Sequence, residues 1–173
     1  MNFFLFNFFL VTLHRPSNVD DPENVKEIIA LLNEIAEKHK VVFPVHPRTR
    51  SILNVLDSVK AERINHNLIL TAPIGYIDFI ALMKNARYVI TDSGGIQEET
   101  TFLGIPCFTI RDNTERPSTI EVGTNILCGT NLNNLRKAVL DLNNGIQKMG
   151  NIPELWDGKT AERTADIILN GFK

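Results

Sequence analysis

The sequence is poor in the features that mark several large classes of protein. It has only two cysteines among 173 residues, and its formal net charge is −2. Cys107 and Cys128 stand in separate apolar segments without a CxxC or Cys/His pattern, so we expect two buried, reduced thiols rather than a disulfide or a metal site. Without an excess of positive charge, the chain is not expected to bind nucleic acid or an acidic membrane surface.

No apolar run is long enough to cross a bilayer, although the sequence begins with one. Residues 1–11 (MNFFLFNFFLV) are too short to span a membrane and lack the basic start and small-residue cleavage site of a signal peptide. We interpret them as a short leader followed by a buried strand, and we expect a cytoplasmic protein. Because a core strand opens the sequence almost at once, we also expect that an upstream segment is missing.

The composition and length are those of one globular α/β domain spanning residues 1–173. Short apolar runs alternate with segments of helical periodicity. Strands are predicted at residues 8–13, 41–45, 68–71, 87–91, 106–110 and 125–128. Helices are predicted at 22–40, 48–59, 76–85 and 96–103, and the tail at 132–172 is predicted to be helical around a turn at 150–153.

This alternation predicts a Rossmann-like, doubly wound parallel sheet with helices on both faces. Ligands of such sheets bind at the carboxyl ends of the strands. Unusual polar segments follow four of the predicted strands at that edge: residues 14–15 (HR), 46–47 (HP), 92–95 (DSGG) and 111–117 (RDNTERP). Their clustering is the main indication of a binding site that comes from the residues alone.

Residues 91–95 (TDSGG) leave a strand and open a helix. Free N–H groups and the helix dipole favour a phosphate there, and Ser93 is suited to capping the helix. The alternative is an ordinary helix start whose glycines serve tight packing. Glu99 lies one turn beyond Gly95, where its carboxylate could accept both ribose hydroxyls or merely complement the dipole.

The other candidates also keep a structural alternative. Arg116 is suited to a bidentate phosphate contact, or it is a solvated loop charge. His14 and His46 follow two strands and could reach a ligand or simply be exposed, and no third metal ligand stands at a workable spacing. Phe79 could pack on a uracil ring or fill the core.

Taken together, these segments resemble the UDP-N-acetylglucosamine 2-epimerase family. The combination of DSGGxxEE at 92–99 with RxxTERP at 111–117 is specific. Other matching pieces run in the family's order over nearly the whole chain: TLHR at 12–15 with NVD at 18–20, FPVHP at 43–47, GIP at 104–106 and EVGTN at 121–125.

The resemblance implies a GT-B-like enzyme of two Rossmann-like domains, with this chain as the C-terminal half and the active site in the cleft between them. It implies interconversion of UDP-N-acetylglucosamine and UDP-N-acetylmannosamine for polysaccharide biosynthesis. The C2 proton and UDP are lost, and UDP then adds back with the C2 configuration inverted. No metal or other cofactor is implied, and the full-length enzyme is expected to be a homodimer.

The resemblance also assigns roles within the nucleotide site. Ser93, Gly94 and Gly95 are expected to hold the diphosphate. Arg116 is expected to meet the phosphates, and Glu99 to bind the ribose.

The remaining roles lie at the two ends of the substrate. Phe79 is expected to flank the uracil. His14 is expected to face the reacting sugar as the catalytic residue, with Arg15 beside it and His46 also lining the cleft.

Two departures from the family pattern limit these expectations. Ser17 stands where many members have Glu in HRxEN, and Ser118 stands where TERPE is common, so activation by a second UDP-sugar is not expected. The family's N-terminal domain, which supplies the carboxylates thought to move the C2 protons, is absent, so we expect this chain alone to be inactive. A glycosyltransferase fragment and a non-catalytic UDP-sugar-binding module are the alternatives.

Overall fold

The computed structural model describes residues 8–58 and 64–171. Six strands lie in this part of the chain, each within one residue of its predicted bounds. They are β1 Phe8–Thr12, β2 Lys40–Pro44, β3 Leu68–Thr71, β4 Tyr88–Thr91, β5 Cys107–Thr109 and β6 Asn125–Leu127. The predicted leader before residue 8 lies outside the described residues.

The strands form one parallel sheet in the order β3-β2-β1-β4-β5-β6. The chain first builds outward from β1 to β3 and then returns to place β4 on the other side of β1. Strand order therefore reverses between β1 and β4, which is where doubly wound sheets open a ligand crevice. The predicted Rossmann-like fold is confirmed.

Eight helices surround the sheet in the described ranges. They are α1 Pro16–Val19, α2 Pro22–Ala36, α3 Pro47–Ser58, α4 Tyr76–Asn85, α5 Gly94–Leu103, α6 Pro117–Glu121, α7 Leu132–Asn143 and α8 Thr160–Asn170. The start of α2 is fixed by Asp21, whose side chain accepts a hydrogen bond from the Glu23 N–H at the helix N-terminus. No helix in this part of the chain has the length and apolar character needed to cross a bilayer.

Some helix bounds differ from the prediction. Helix α2 ends at Ala36 rather than residue 40, because the chain must turn before β2 begins at Lys40. Helices α1 and α6 were not predicted, since four and five residues are too few to show a period. The tail is helical only in α7 and α8, with a non-helical stretch at 144–159. The predicted helix ends at residues 59 and 172 lie outside the described residues.

The core has two parts because the central strands are apolar on both faces. Phe9 and Val11 of β1 belong to the larger cluster, whereas Phe8 and Leu10 belong to the smaller one. Successive side chains of a strand point to opposite faces, so the two clusters lie on opposite sides of the sheet. Helices α2 and α7 contribute to the larger cluster, and α4 contributes Met83 to the smaller one.

The two cysteines are free and buried, one in each cluster. Burial raises the pKa of the Cys107 thiol to about 11 and that of Cys128 to about 12. Both therefore remain protonated thiols at neutral pH, which confirms the predicted buried, unpaired state.

Candidate functional site

The polar segments meet where β1 and β4 end side by side. Thr12 of β1 pairs with Thr91 of β4 in register. The residues that follow, His14 on one strand and Asp92 on the other, are consequently neighbours at the carboxyl edge. This is the point where strand order reverses, so the site lies where the fold places a crevice.

Asp92 is the residue that links the segments at this edge, although no role of its own was predicted for it. Its side chain is completely buried. Its carboxylate accepts hydrogen bonds from the backbone N–H groups of His14 (3.1 and 3.2 Å) and Arg15 (2.9 Å), and from Nδ2 of Asn18 (3.0 Å). These donors compensate the loss of water around a buried charge and tie the segment after β1 to the end of β4.

The structure brings His14, Arg15 and His46 together at this edge. The imidazole Nδ1 of His14 lies 3.2 Å from Oδ1 of Asp92, and the His14 and His46 ring centroids are 6.1 Å apart. Arg15 donates from Nε to the Asp92 carbonyl oxygen at 2.9 Å. No group of three potential metal ligands among His, Cys, Asp and Glu converges in the described residues.

Helix α5 begins with the two glycines rather than after them. Ser93 occupies the N-cap position and Gly94 and Gly95 fall within the first helical turn, so α5 begins two residues before its predicted start at residue 96. The Ser93 side chain makes no capping hydrogen bond. The first-turn N–H groups of a helix have no partner within the helix, and they carry the positive end of its dipole.

The surface above these glycines is open. Among the described residues, a Cβ on Gly95 would meet no atom within 4 Å, and one on Gly94 would meet only Oε2 of Glu115 at 3.9 Å. Neither glycine has a positive φ. Tight packing among the described residues therefore does not account for these glycines.

Glu99 lies on the same helix, and among the described residues only one of its two carboxylate oxygens has a hydrogen-bond partner. Its Oε1 accepts a hydrogen bond from the Tyr76 hydroxyl at 2.9 Å, which links α5 to the start of α4. This bond raises the pKa of Tyr76. Within the part of the chain that the structure describes, Oε2 of Glu99 is buried and has no hydrogen-bond partner. Such an atom is costly unless a ligand or water satisfies it.

The loop after β5 presents two arginines in different states. Arg111 is buried and makes two hydrogen bonds with Glu115, at 2.9 and 2.8 Å. This contact lowers the pKa of Glu115 to about 2. Arg116 is 48% exposed and its Nε lies 3.2 Å from Oε1 of Glu98 on α5. Arg111 therefore shapes the loop, while Arg116 reaches the same helix that carries the glycines.

A buried glutamine connects that loop to α5. Gln97 is fully buried, and its Oε1 accepts from Thr114 Oγ1 at 2.6 Å and from Asn125 Nδ2 at 3.1 Å. Its Nε2 donates to the Ser93 carbonyl at 3.2 Å. Gln97 was not predicted to have a role here, because a polar residue near the start of a helix normally indicates a solvated position.

Phe79 is the candidate with the weakest structural link to this edge. It lies on α4, three residues after Tyr76, and packs half-buried against the smaller core cluster. That packing supports its alternative role as a core residue. The predicted contact with uracil stays a prediction.

Comparison with known proteins places these features in a family. The family model of UDP-N-acetylglucosamine 2-epimerase matches residues 4–169. A UDP-N-acetylglucosamine 2-epimerase of Methanocaldococcus jannaschii is 43% identical over 170 residues, covering 95% of this chain and 45% of the relative. One of Methanococcus maripaludis is 42% identical over 134 residues, covering 76% of this chain and 37% of the relative. This chain spans less than half the length of these relatives.

Solved structures agree with the sequence matches. The crystal structure of the Methanocaldococcus jannaschii enzyme in complex with UDP-GlcNAc and UDP is similar with a TM-score of 0.77 at 43% identity, over 94% of this chain and 45% of that one. An E. coli heptosyltransferase with ADP, at 15% identity and a TM-score of 0.53 over 81% of this chain and 44% of that one, shares the fold alone.

Proposed function

Because the chain belongs to the UDP-N-acetylglucosamine 2-epimerase family, we propose that it is the UDP-binding C-terminal half of an enzyme that interconverts UDP-GlcNAc and UDP-ManNAc. The observation that carries the proposal is the pairing, on α5, of an open two-glycine N-terminus with a carboxylate whose buried second oxygen has no partner in the described structure. One feature suits a diphosphate and the other a ribose, and the two lie on one helix.

The diphosphate is proposed to sit over the first turn of α5. Gly94 and Gly95 leave the backbone N–H groups accessible, and Ser93 offers a hydroxyl that does not cap the helix. Arg116 is half-exposed beside the same helix and pairs with Glu98, and a bound phosphate would share or replace that contact with its guanidinium. A helix N-terminus with an arginine nearby is an arrangement that binds anions through partial and full charges together.

The ribose and the base are proposed to follow along α5 and α4. The free Oε2 of Glu99 is suited to accept a ribose hydroxyl, while the Tyr76 hydrogen bond holds the other oxygen in place. Phe79 lies one turn further along α4 and is proposed to flank the uracil.

The sugar is proposed to lie over the ends of β1 and β2, where His14, Arg15 and His46 gather. Loss of UDP builds negative charge on the diphosphate, and fixed donors aimed at that position stabilise the transition state. Re-addition requires that UDP stay bound between the two steps, so the enzyme must bind the nucleotide tightly.

Several parts of this proposal concern the full-length enzyme rather than this chain alone. The C2 proton transfers need positioned bases, which we assign to the N-terminal half of the enzyme, so the chain alone is proposed to be inactive. A homodimeric full-length enzyme, a cytoplasmic location and the lack of nucleic-acid binding stay predictions. Family membership leaves no support for a glycosyltransferase fragment. A non-catalytic UDP-sugar-binding module would share the nucleotide site.

The proposal is tested with Glu99→Ala and two ligands, UDP and inorganic pyrophosphate, by titration calorimetry on the folded chain. Wild-type chain should bind both. The substitution should weaken UDP by about 1–3 kcal/mol, or roughly 5- to 150-fold in Kd, because a charge-assisted hydrogen bond to ribose is lost. Pyrophosphate has no ribose, so its affinity should change little.

Glu162→Ala is the matched control, because Glu162 also lies in the first turn of a helix, α8, but far along the chain from the site. It should leave both affinities unchanged. Equal weakening of UDP and pyrophosphate by Glu99→Ala would show that Glu99 acts elsewhere. No heat with UDP at millimolar concentration in the wild-type chain would overturn the nucleotide site itself.

A further inference from the structure

The two oxygens of the Asp92 carboxylate have different partners. Oδ2 accepts from three donors: the His14 N–H at 3.1 Å, the Arg15 N–H at 2.9 Å and Asn18 Nδ2 at 3.0 Å. Oδ1 faces the His14 N–H and the His14 imidazole Nδ1, both at 3.2 Å. Oδ2 is therefore committed to fixing the loop after β1, and Oδ1 is the oxygen that the histidine ring can use.

The imidazole of His14 is held on one side only. Its Nδ1 lies against a buried, acceptor-only carboxylate, while the side chain as a whole is 44% exposed. No hydrogen bond from Nε2 to another described residue accompanies this contact. A carboxylate behind Nδ1 favours the tautomer with the proton on Nδ1, which leaves the Nε2 lone pair available.

We propose that Asp92 is a positioning residue that holds His14 as the Nδ1–H tautomer, with Nε2 presented to the cleft as a hydrogen-bond or proton acceptor. The three other donors hold the carboxylate in place, so its negative charge stays beside Nδ1. The inference deepens the proposed function, because its use in the reaction depends on His14 facing the sugar. The tautomer itself is a property of the unliganded chain.

The arrangement predicts what an amide would do at position 92. In Asp92→Asn one oxygen remains, and three donors compete for it at the Oδ2 position. The amide NH₂ is then placed at the Oδ1 position, where it donates to His14 Nδ1 and turns that nitrogen into an acceptor. The proton moves to Nε2, so the tautomer reverses; the same substitution beside a catalytic histidine has this effect in serine proteases.

The test is a long-range ¹H–¹⁵N NMR spectrum of the histidine rings in the ¹⁵N-labelled chain, recorded without ligand at about pH 8.5, where an ordinary imidazole is neutral. His14→Gln assigns the signals of that ring. Wild-type chain should show His14 with protonated Nδ1 and unprotonated Nε2. Asp92→Asn should show the opposite, and Asp157→Asn, which alters an aspartate ion-paired with Arg163 near α8, should leave the wild-type pattern.

A wild-type His14 with a protonated Nε2 would overturn the proposal, and this measurement does not depend on whether Asp92→Asn folds. An unchanged tautomer in a folded Asp92→Asn chain would also overturn it, because Asp92 would then serve only the loop. UDP titration of the same samples is read separately. Wild-type chain that shows the expected tautomer but does not bind UDP would contradict the proposed function and leave the role of Asp92 standing.

Discussion

Helices α5 and α8 use their side chains in opposite ways. Helix α5 buries polar residues, namely Gln97, Thr100 and Thr101. Helix α8 buries none of its side chains against the described residues and exposes Ile167, Ile168 and Leu169, which are 57–72% accessible. The two helices have similar lengths, ten and eleven residues, so the contrast comes from their surroundings.

The contrast shows what holds each helix in place. Buried polar groups are costly without partners, and Gln97 has partners on three sides in Ser93, Thr114 and Asn125. These hydrogen bonds hold helix α5 against the loop after β5 and against β6. The exposed apolar residues of α8 contribute little to the stability of this chain, since the hydrophobic gain requires area removed from water.

The largest expected effect on stability comes from a leucine-to-alanine substitution in the core, compared with the same substitution in α8. Leu32→Ala in α2 removes a side chain that is 1% exposed and should lower the free energy of unfolding by about 2–5 kcal/mol. Leu169→Ala in α8 removes one that is 72% exposed and should change it by about 0.5 kcal/mol or less. Urea unfolding of the two variants against wild type measures both values.

A large decrease in the free energy of unfolding caused by Leu169→Ala would contradict the contrast between the core and α8. It would mean that α8 packs in solution on a surface that the structure leaves uncovered, either within the chain or between copies. A dependence of that loss on protein concentration would distinguish the second case from the first.

The prediction from sequence succeeded where a period or an apolar run carries the information. Strand β3 and helix α4 have the predicted bounds, because an apolar run or amphipathic pattern ends there in turn residues. Helix α8 was also predicted in outline, since its pattern is strongly amphipathic. The pattern could not reveal that this face is left uncovered, because that depends on distant parts of the chain.

The second prediction concerns the stability of the fold at acidic pH. The contact with Arg111 holds the Glu115 pKa at about 2, below its ordinary 4.5. A lowered pKa in the folded state contributes stability that is present above about pH 4.5 and is lost as the pH falls toward 2. Glu115→Gln should therefore flatten the decline of stability over that range, as followed by urea midpoints at successive pH values.

The matched control lies at the start of α8. The hydrogen bond from the Lys159 N–H, followed by the pairing with Arg163, lowers the pKa of Asp157. Both members of this pair are partly exposed, whereas the exposed Glu115 is paired with a buried arginine. Asp157→Asn should therefore change the acid profile less than Glu115→Gln does. Equal effects would show that the buried Arg111 gives the site edge no special stability.

The site could be predicted only in part. His14, His46 and the glycines stood out because their residue types are unusual after a strand. Asp92 and Gln97 did not, because their roles depend on donors and acceptors as distant as 78 and 28 residues in sequence. A motif shows which residues follow a strand, but only the strand order reveals that β1 and β4 are neighbours and that Asp92 meets His14.

A substitution with a small expected change in stability bears most directly on binding. Gly95 lies in the first turn of α5 without a positive φ, and a Cβ there would meet no described atom within 4 Å. Gly95→Ala should therefore stabilise the fold by about 0.5–1 kcal/mol, because alanine loses less backbone entropy in a helix. The same methyl group would project into the space proposed for the diphosphate, so it should weaken both UDP and pyrophosphate.

Thr164→Ala on the exposed surface of α8 is the control for helix propensity alone. It should also stabilise the helix slightly and should leave both ligands unaffected. Thermal unfolding gives the change in stability and calorimetry gives the affinities. A Gly95→Ala chain that is more stable and still binds UDP as wild type does would mean that the diphosphate does not approach this backbone. Weaker binding by a more stable chain requires that the glycine is kept for the ligand, since neither the backbone conformation nor the packing of the described residues demands it.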